Sequence, residues 1–281
     1  NSTVALNSGG NITLTGANVT GHGDISLLGA GNRTARIQVL NSTLTSNGGN
    51  ITLDRLSTKD AESNAATNPN AMTVKVSNST LNATNTSTSD KGNISIRAYN
   101  PNVNLSASAY NNTVRNGGSM IEVSGSSTLT GNNVTLHTEL QGGNAAGLPV
   151  YLNRVNITAD GDISLTGMSQ QVTTIQTGED GEETTVTTSP DTAQIELRGA
   201  NNTLTSANGN ITIENNGSSK LDGVFLNGTS DAKVALNAVN GTIILAGSSV
   251  NGTGVNVQNT TLNATKAVIR GNSTSDTTSG S

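Results

Sequence analysis

Three short motifs recur in a fixed order along this chain, and this repeat limits what it can fold into more than any other feature. The first motif has the form Asn/Asp-Ile-Thr/Ser-Leu, as at residues 24–27. The second alternates apolar with polar residues, as at 37–39, and the third reads Thr-Leu-Thr/Asn, as at 43–45. Alternation with period two predicts half-buried strands, and the Gly, Asn and Ser residues between the motifs predict turns. We name the three segments strand A, strand B and strand C.

The copies of each strand are spread over nearly the whole chain. Strand A recurs at 24–27, 50–53, 93–96, 133–136, 162–165 and 210–213, with a looser copy at 242–245. Strand B recurs at 37–39, 74–76, 121–123, 150–152, 195–197, 224–226 and 255–257. Strand C recurs at 43–45, 80–82, 128–130, 155–157, 203–205, 234–236 and 261–263.

Three strands per repeat predict an all-β fold, a right-handed parallel β-helix of about eight coils stacked about 4.8 Å apart. One coil cannot bury its own inner face, so it is stable only between neighbours. Strand parity predicts which side chains point inward. The predicted buried residues are Ile51, Leu53, Val74, Val76, Ile121, Val123, Ile195, Leu197, Ile211 and Ile213.

The connection from strand A to strand B varies most in length. It is short after Leu27 and long at about 54–71, 97–119, 137–149 and 166–192. Because these four connections leave the same corner, we expect them to cluster on one edge, either as functional loops or as tolerated insertions. Residues 170–189 alternate around Gly178-Glu179-Asp180-Gly181 and predict a protruding β-hairpin.

The domain prediction is one repeat array over 1–271, with the hairpin within 168–192 and a polar tail at 272–281. The chain starts at Asn1 without a signal peptide or an initiating Met, and we expect it to be part of a longer protein. Net charge is −5 with no Lys/Arg cluster, so nucleic-acid binding is not expected. No apolar run reaches the length of a membrane span, so membrane insertion is not expected.

Cysteine is absent, which excludes thiol catalysis and thiolate metal sites.

The repeated Gly-Asn-Ile-Thr-Leu and Asn-Ser-Thr-Leu-Thr strings resemble those of the filamentous-haemagglutinin-like exoproteins of two-partner secretion. Within that group, the density of Asn-x-Ser/Thr sequons is most similar to that of the high-molecular-weight adhesins of Gram-negative respiratory bacteria. The resemblance implies secretion to the bacterial surface through an outer-membrane partner. It also implies attachment to host cells, in some members through sialylated glycans.

The chain contains 23 Asn-x-Ser/Thr sequons. The fold itself favours them, because Asn and Thr two residues apart both point outward in a strand. The resembling adhesins carry hexoses at such sites, so the resemblance implies modification of several sequons. The glycosylation candidates are Asn32, Asn41, Asn50, Asn78, Asn85, Asn93, Asn111, Asn133, Asn156, Asn201, Asn210, Asn227 and Asn259.

The outward residues of strand B predict a ladder down one face, which we name the B face: Gln38, Lys75, Glu122, Tyr151, Glu196, Phe225 and Asn256. With the loops, this face holds all three Tyr, whose rings stack on sugars. Arg97 and Arg115 are candidates to receive a sialic-acid carboxylate. The predicted receptor site is Lys75, Glu122, Tyr151 and Glu196, with the loop residues Arg97, Tyr99, Tyr110 and Arg115. A plainer interpretation is that Arg97 and Tyr99 only cover the end of strand A.

Catalysis has little support in the sequence. His22 and His137 are far apart, and no cofactor or metal motif is present. Glu122 and Glu196 lie two coils apart, about 9–10 Å, at the outer limit for the carboxylates of an inverting glycosidase. The leading interpretation is a non-catalytic, secreted bacterial surface adhesin that binds host-cell glycans or glycoproteins. The alternatives are a glycan-active hydrolase or lyase, a surface-binding Thr array, and a passive fibre spacer.

Overall fold

The computed structural model describes residues 3–31, 36–57, 74–84, 90–100, 119–141, 148–170, 172–178, 180–188, 194–216, 221–250 and 252–274. Within these ranges the chain forms 23 β-strands and no helix. The strands are β1 Val4–Ser8, β2 Ile12–Thr15, β3 Asn18–Gly21, β4 Ile25–Gly31, β5 Ile37–Leu40, β6 Thr43–Ser46, β7 Ile51–Ser57, β8 Val74–Ser77, β9 Thr80–Asn82, β10 Ile94–Asn100, β11 Ser119–Gly131, β12 Val134–Gln141, β13 Leu148–Ala159, β14 Ile163–Gln170, β15 Val172–Thr177, β16 Glu183–Thr188, β17 Ile195–Arg198, β18 Thr203–Ser206, β19 Ile211–Asn215, β20 Val224–Asn227, β21 Val234–Val250, β22 Val255–Gln258 and β23 Thr260–Thr274.

The strands wind into a parallel β-helix, as the repeat predicts. Twenty-one strands form one continuous sheet. Each strand of an inner coil pairs in parallel with its counterparts in the coils before and after it, as β7 does with β4 and β10. Strands B and C join into one long strand in β11 and β13, while β21 and β23 join strand C to the next strand A. The coil that β1, β2 and β3 form pairs with the second coil and extends the array to its first described residues.

The core is a narrow column of aliphatic side chains inside the coils. All ten residues predicted to be buried have no solvent exposure, which confirms the inward parity of strands A and B. Ile51 pairs with Ile25 on one side and with Ile94 on the other, so like side chains stack along the axis. Burying one such side chain contributes about 1.5–3 kcal/mol, and each coil supplies only a few of them. The coils are therefore stable together rather than singly.

A ladder of Asn and Asp side chains fixes the turn before strand A. The Oδ1 atom of Asp24 accepts the backbone N–H of Asn50 at 2.7 Å, and Asn50 in turn accepts that of Asn93 at 2.9 Å. The same bond repeats from coil to coil through Asn133, Asp162, Asn210 and Thr242. This ladder explains why strand A begins with Asn or Asp, because both carry a short side-chain oxygen that can bond the next backbone.

Strand A runs further than the sequence predicts. The long connections were expected from about residues 54, 97, 137 and 166, yet β7, β10, β12 and β14 continue for several more residues. The reason is that the inward register goes on through Arg55, Ala98, Thr138 and Gly167, which pair in that order. In the sequence, a basic residue together with small and polar residues does not form the apolar pattern that indicates a buried strand. Burial lowers the pKa of Arg55 to about 10, so this side chain stays charged at neutral pH.

The predicted hairpin is confirmed. β15 and β16 pair antiparallel in a separate two-stranded sheet, with Val172 opposite Thr188 and Thr177 opposite Glu183. The Gly178 N–H donates to the Glu182 carbonyl at 2.8 Å and closes the turn. The hairpin therefore makes its own backbone hydrogen bonds outside the helix.

Candidate receptor-binding face

The predicted ladder of the B face is present in the expected order. Each pair of residues that neighbours one another in the ladder is paired in register across adjacent parallel strands. Tyr151 lies at its centre, between Glu122 of β11 and Glu196 of β17. The strand period thus brings these three side chains together, although they come from three different coils.

The two glutamates of the B face are buried and paired with cations. Glu122 is 8% exposed and Glu196 is 4% exposed, so neither carboxylate offers an open surface. The Lys75 ammonium lies 3.3 Å from Glu122, and the Nε of Arg198 lies 2.5 Å from Glu196. The more exposed partners in these pairs are Lys75 and Arg198, with side-chain exposures of 36% and 55%. The glutamates therefore hold two cations in place on either side of Tyr151.

Tyr151 is half-buried and keeps its proton. Burial, reinforced by the Glu196 carboxylate, raises the pKa of Tyr151 above its ordinary value. Its hydroxyl oxygen accepts a hydrogen bond from Asn153 Nδ2 at 3.2 Å. The hydroxyl hydrogen remains available as a donor, and the ring supplies an apolar edge on an otherwise polar face.

The carboxyl group of Glu196, on the B face, has a shifted pKa. Burial raises the pKa of Glu196 above its ordinary value, while the Arg198 guanidinium acts in the opposite direction. Desolvation is the larger effect because the side chain is almost wholly removed from water. A raised carboxyl pKa is a property of general acids, but it also arises in buried structural ion pairs.

Arg97 and Tyr99 belong to strand β10, so the prediction that they are loop residues is wrong, whereas their part in the receptor site stays a prediction. Both lie on the outer side of the A strands, where the neighbours of Arg97 are Asp54 in β7 and His137 in β12. Asp54 holds Arg97 through two bonds, to Nε at 2.8 Å and to Nη2 at 2.7 Å. This pairing raises the pKa of Arg97 and uses its Nε and one Nη2 donor, so the remaining guanidinium N–H groups are not held by Asp54. The plainer interpretation of these two residues fits the described contacts.

A polar row beside Arg97 was not predicted from the sequence. The His137 ring bonds the Thr166 hydroxyl through Nδ1 at 2.6 Å and Glu139 through Nε2 at 2.9 Å. The signal was available, since 137 and 139 continue the outward parity of strand A beyond Leu136. The polar row was not predicted because strand A was expected to end before His137.

Five of the predicted site residues lie outside the described ranges. They are the receptor candidates Tyr110 and Arg115 and the sequon residues Asn32, Asn85 and Asn111. Their place relative to the B face stays a prediction.

The ten described glycosylation candidates fall into two structural classes and two single cases. Asn50, Asn93, Asn133 and Asn210 belong to the ladder before strand A. Asn41, Asn78, Asn201 and Asn259 occupy the corner between strands B and C with φ of 45° to 62°. Asn tolerates this left-handed region better than most residues, so the fold itself accounts for these eight. Asn156, which is exposed, and Asn227, which is half-buried, have neither role.

The described residues define the class of protein as a parallel β-helix with a mixed polar and aromatic ladder on one face. In comparisons with known proteins, no family model, curated protein or solved structure matches the chain. The filamentous-haemagglutinin-like resemblance therefore stays a prediction that rests on the repeated strand motifs. Among the described residues, no helix is long and apolar enough to cross a membrane. Within the same ranges, no group of three or more His, Asp or Glu side chains is arranged to hold a metal ion.

Proposed function

We propose that this protein is a segment of a secreted bacterial surface adhesin that binds host-cell glycans without catalysis, through the B face around Tyr151. The observation that carries the proposal is the half-exposed Tyr151 ring held between two ion pairs on a rigid sheet. Secretion through an outer-membrane partner and attachment to host cells come from the motif resemblance alone.

The chemistry of the face suits a sugar. A tyrosine ring packs against the apolar side of a pyranose, and its hydroxyl hydrogen can donate to a sugar oxygen. Lys75 and Arg198 add further donors, and their paired glutamates fix where these donors point. Such pre-organisation lowers the entropy lost on binding, because the side chains are ordered before the ligand arrives.

The backbone beneath the face is equally rigid. Tyr151 lies in β13, which pairs with β11 on one side and with β17 on the other. Sites on paired strands hold their geometry better than sites on loops. The roles now proposed for Glu122 and Glu196 are to position Lys75 and Arg198, and direct ligand contact is assigned to Tyr151 and the two cations.

A glycan-active hydrolase is the second candidate, and the raised pKa of Glu196 favours it. Its weakness is access. Glu122 and Glu196 are 8% and 4% exposed and are each engaged by a cation, whereas a glycosidase needs both carboxyls to reach the scissile bond. The bound glycans should therefore also be analysed for cleavage products.

The test is a glycan-array screen followed by titration of the best ligand into the wild type and the Tyr151→Ala and Tyr151→Phe variants. Loss of the ring should weaken binding about tenfold or more, and loss of the hydroxyl alone should cost about three- to tenfold, since one hydrogen bond contributes about 0.5–1.5 kcal/mol. All variants should keep the wild-type melting temperature within a few degrees, because Tyr151 lies on the outside.

The matched control is Thr205→Ala, an outward change on strand C of a neighbouring coil. It should leave binding unchanged. If binding survives Tyr151→Ala but is lost in Thr205→Ala, the receptor site lies on the strand C side and the assignment to the B face is wrong. No binding to any glycan would support the spacer interpretation, and cleaved glycans would support the hydrolase.

A further inference from the structure

The corner between strands B and C differs in length from coil to coil. In β13 only residues 154 and 155 separate Asn153 from Asn156, which pair with Arg198 and Thr203 of the next coil. That next coil uses 199–202 for the same corner, and the previous coil uses 125–127, with a register shift between Ser124 and Ser127. The short corner at Arg154 is therefore set back between two longer ones.

This setback forms a cleft of about 300 Å³. The residues that line it include Ser126, Asn156, Asn201 and Thr203, while Val155 lies buried beneath. Arg154 is the charged residue of the lining, and none of the described residues that line the cleft is acidic. Hydroxyl and amide groups around one guanidinium are the groups that bind a carboxylate or a sulfate.

Arg154 has an unfavourable backbone conformation for its residue type. Its φ is 58°, whereas the same corner is occupied by Asn41, Asn78, Asn201 and Asn259 in four other coils and by Ser126, with φ of 64°, in a fifth. A left-handed conformation is uncommon for a residue that is neither Gly nor Asn, and strained residues cluster at functional sites. Because asparagine suits this corner better than arginine does, we infer that the Arg154 side chain has a binding role.

The guanidinium of Arg154 is also exposed and available. Lys75, Arg97 and Arg198 are each paired with a carboxylate, but among the described residues no Asp or Glu lies within ion-pair distance of Arg154. A ligand anion therefore meets no competing acid in the cleft.

We propose that this corner cleft is a binding site for a carboxylate or sulfate group carried on a saccharide. Arg154 makes the charge-assisted contacts, and Ser126, Asn156, Asn201 and Thr203 bind the neighbouring oxygens. The site is separate from Tyr151, and its existence does not depend on the proposed function. Asn153 connects the two regions, because it bonds the Tyr151 hydroxyl and precedes Arg154 in the chain. Three residues of strand, about 10 Å, separate Tyr151 from Arg154, which a two- to three-residue saccharide spans.

The experiment titrates three hexasaccharides into the protein: one derived from κ-carrageenan, which carries sulfates and no carboxylate, an oligogalacturonate and neutral cellohexaose. We expect the sulfated ligand, the carboxylated ligand or both to bind, with an affinity that falls as salt increases, and cellohexaose to bind at least tenfold more weakly. The two charged ligands distinguish a sulfate site from a carboxylate site. Failure of both to bind would overturn the proposal.

The variant is Arg154→Asn, which removes the charge and installs the residue that other coils use at this corner. It should keep or raise the melting temperature and weaken anionic binding about tenfold or more, while Arg154→Lys should retain part of the affinity. The matched control is Lys233→Asn, because Lys233 is exposed and lies outside the cleft lining. Equal losses in both Asn variants would show a net-charge effect, and no loss in Arg154→Asn would also reject the site. The Tyr151→Ala titration with neutral glycans tests the B face independently.

Discussion

Glu196 combines burial with an ion pair, and this has a consequence for pH dependence. Its pKa is raised in the folded state above the ordinary value of 4.5, so the folded protein binds this proton more tightly than the unfolded chain does. The stabilisation from this group is fully present below pH 4.5 and is lost as the pH rises through the folded pKa.

We therefore expect Glu196→Gln to flatten the pH dependence of stability above pH 4.5. Denaturant melts of the wild type and the variant at intervals from pH 4 to pH 8 check this. The wild type should lose free energy of unfolding relative to the variant as the pH rises over that range. A difference that is constant with pH would mean that burial and Arg198 cancel and leave the carboxyl pKa unshifted. A difference that grows in favour of the wild type would mean that Arg198 outweighs burial and lowers the carboxyl pKa.

Residue patterns predicted the site unevenly. The ladder from Lys75 to Glu196 followed from strand parity alone, because a two-residue period assigns every side chain to a face. Parity could not reveal that Glu122 and Glu196 are buried, since this depends on the groups packed around each carboxylate. Arg154 was missed for another reason: its cleft arises from the relative lengths of three stacked corners, and no single corner sequence indicates it.

At the scale of elements, the hairpin formed by β15 and β16 is the clearest addition to the helix. It is a separate antiparallel sheet, while the last residues of β14, up to Gln170, still pair with β12. The deletion that tests its role must therefore begin after Gln170.

Replacement of residues 172–188 by a short Gly-Ser linker should leave the circular dichroism melt of the helix nearly unchanged. The reason is that the hairpin supplies its own hydrogen bonds and lies outside the coil pairings. Shortening a loop changes chain entropy only slowly with length, so the effect on stability is about 1 kcal/mol or less. Loss of soluble protein or a clearly lower melting temperature would indicate that the hairpin packs on the helix.

The positions of the strands were predictable because each motif alternates apolar and polar residues and is followed by residues that favour a turn. Their lengths were not, and the continuation through Arg55 and Thr138 is the plainest case. In sequence, a basic residue two positions after Leu53 indicates solvent, whereas in the fold it occupies the inward column. The register with neighbouring coils, rather than local composition, decides where strand A ends.

At the scale of the whole molecule, the coils share one core. Ile121 lies in the fourth coil, fully buried, and pairs with Val74 before it and Val150 after it. A charge placed there has no partner in the aliphatic column and affects three coils together.

Ile121→Asp should therefore abolish cooperative folding or lower stability by about 3–5 kcal/mol, from lost burial and an unpaired buried charge. The control is Thr130→Asp, which places the same charge on the outward side of the same strand β11. Thermal melts followed by circular dichroism check both, and the control should melt within a few degrees of the wild type. Equal melting temperatures for Ile121→Asp and the wild type would show that the assigned register is wrong.

The unequal lengths of the coils determine how the protein responds to mechanical force. Hydrogen bonds between coils run along the axis, so we expect tension on the chain ends to open them one after another. Successive coils, measured along the Asn/Asp ladder, contain 26, 43, 40, 29, 48 and 32 residues. At about 3.4 Å per extended residue, these release from about 90 Å to about 160 Å of chain each. Under load the protein lengthens in unequal steps, and the coil that carries the hairpin gives the largest extension.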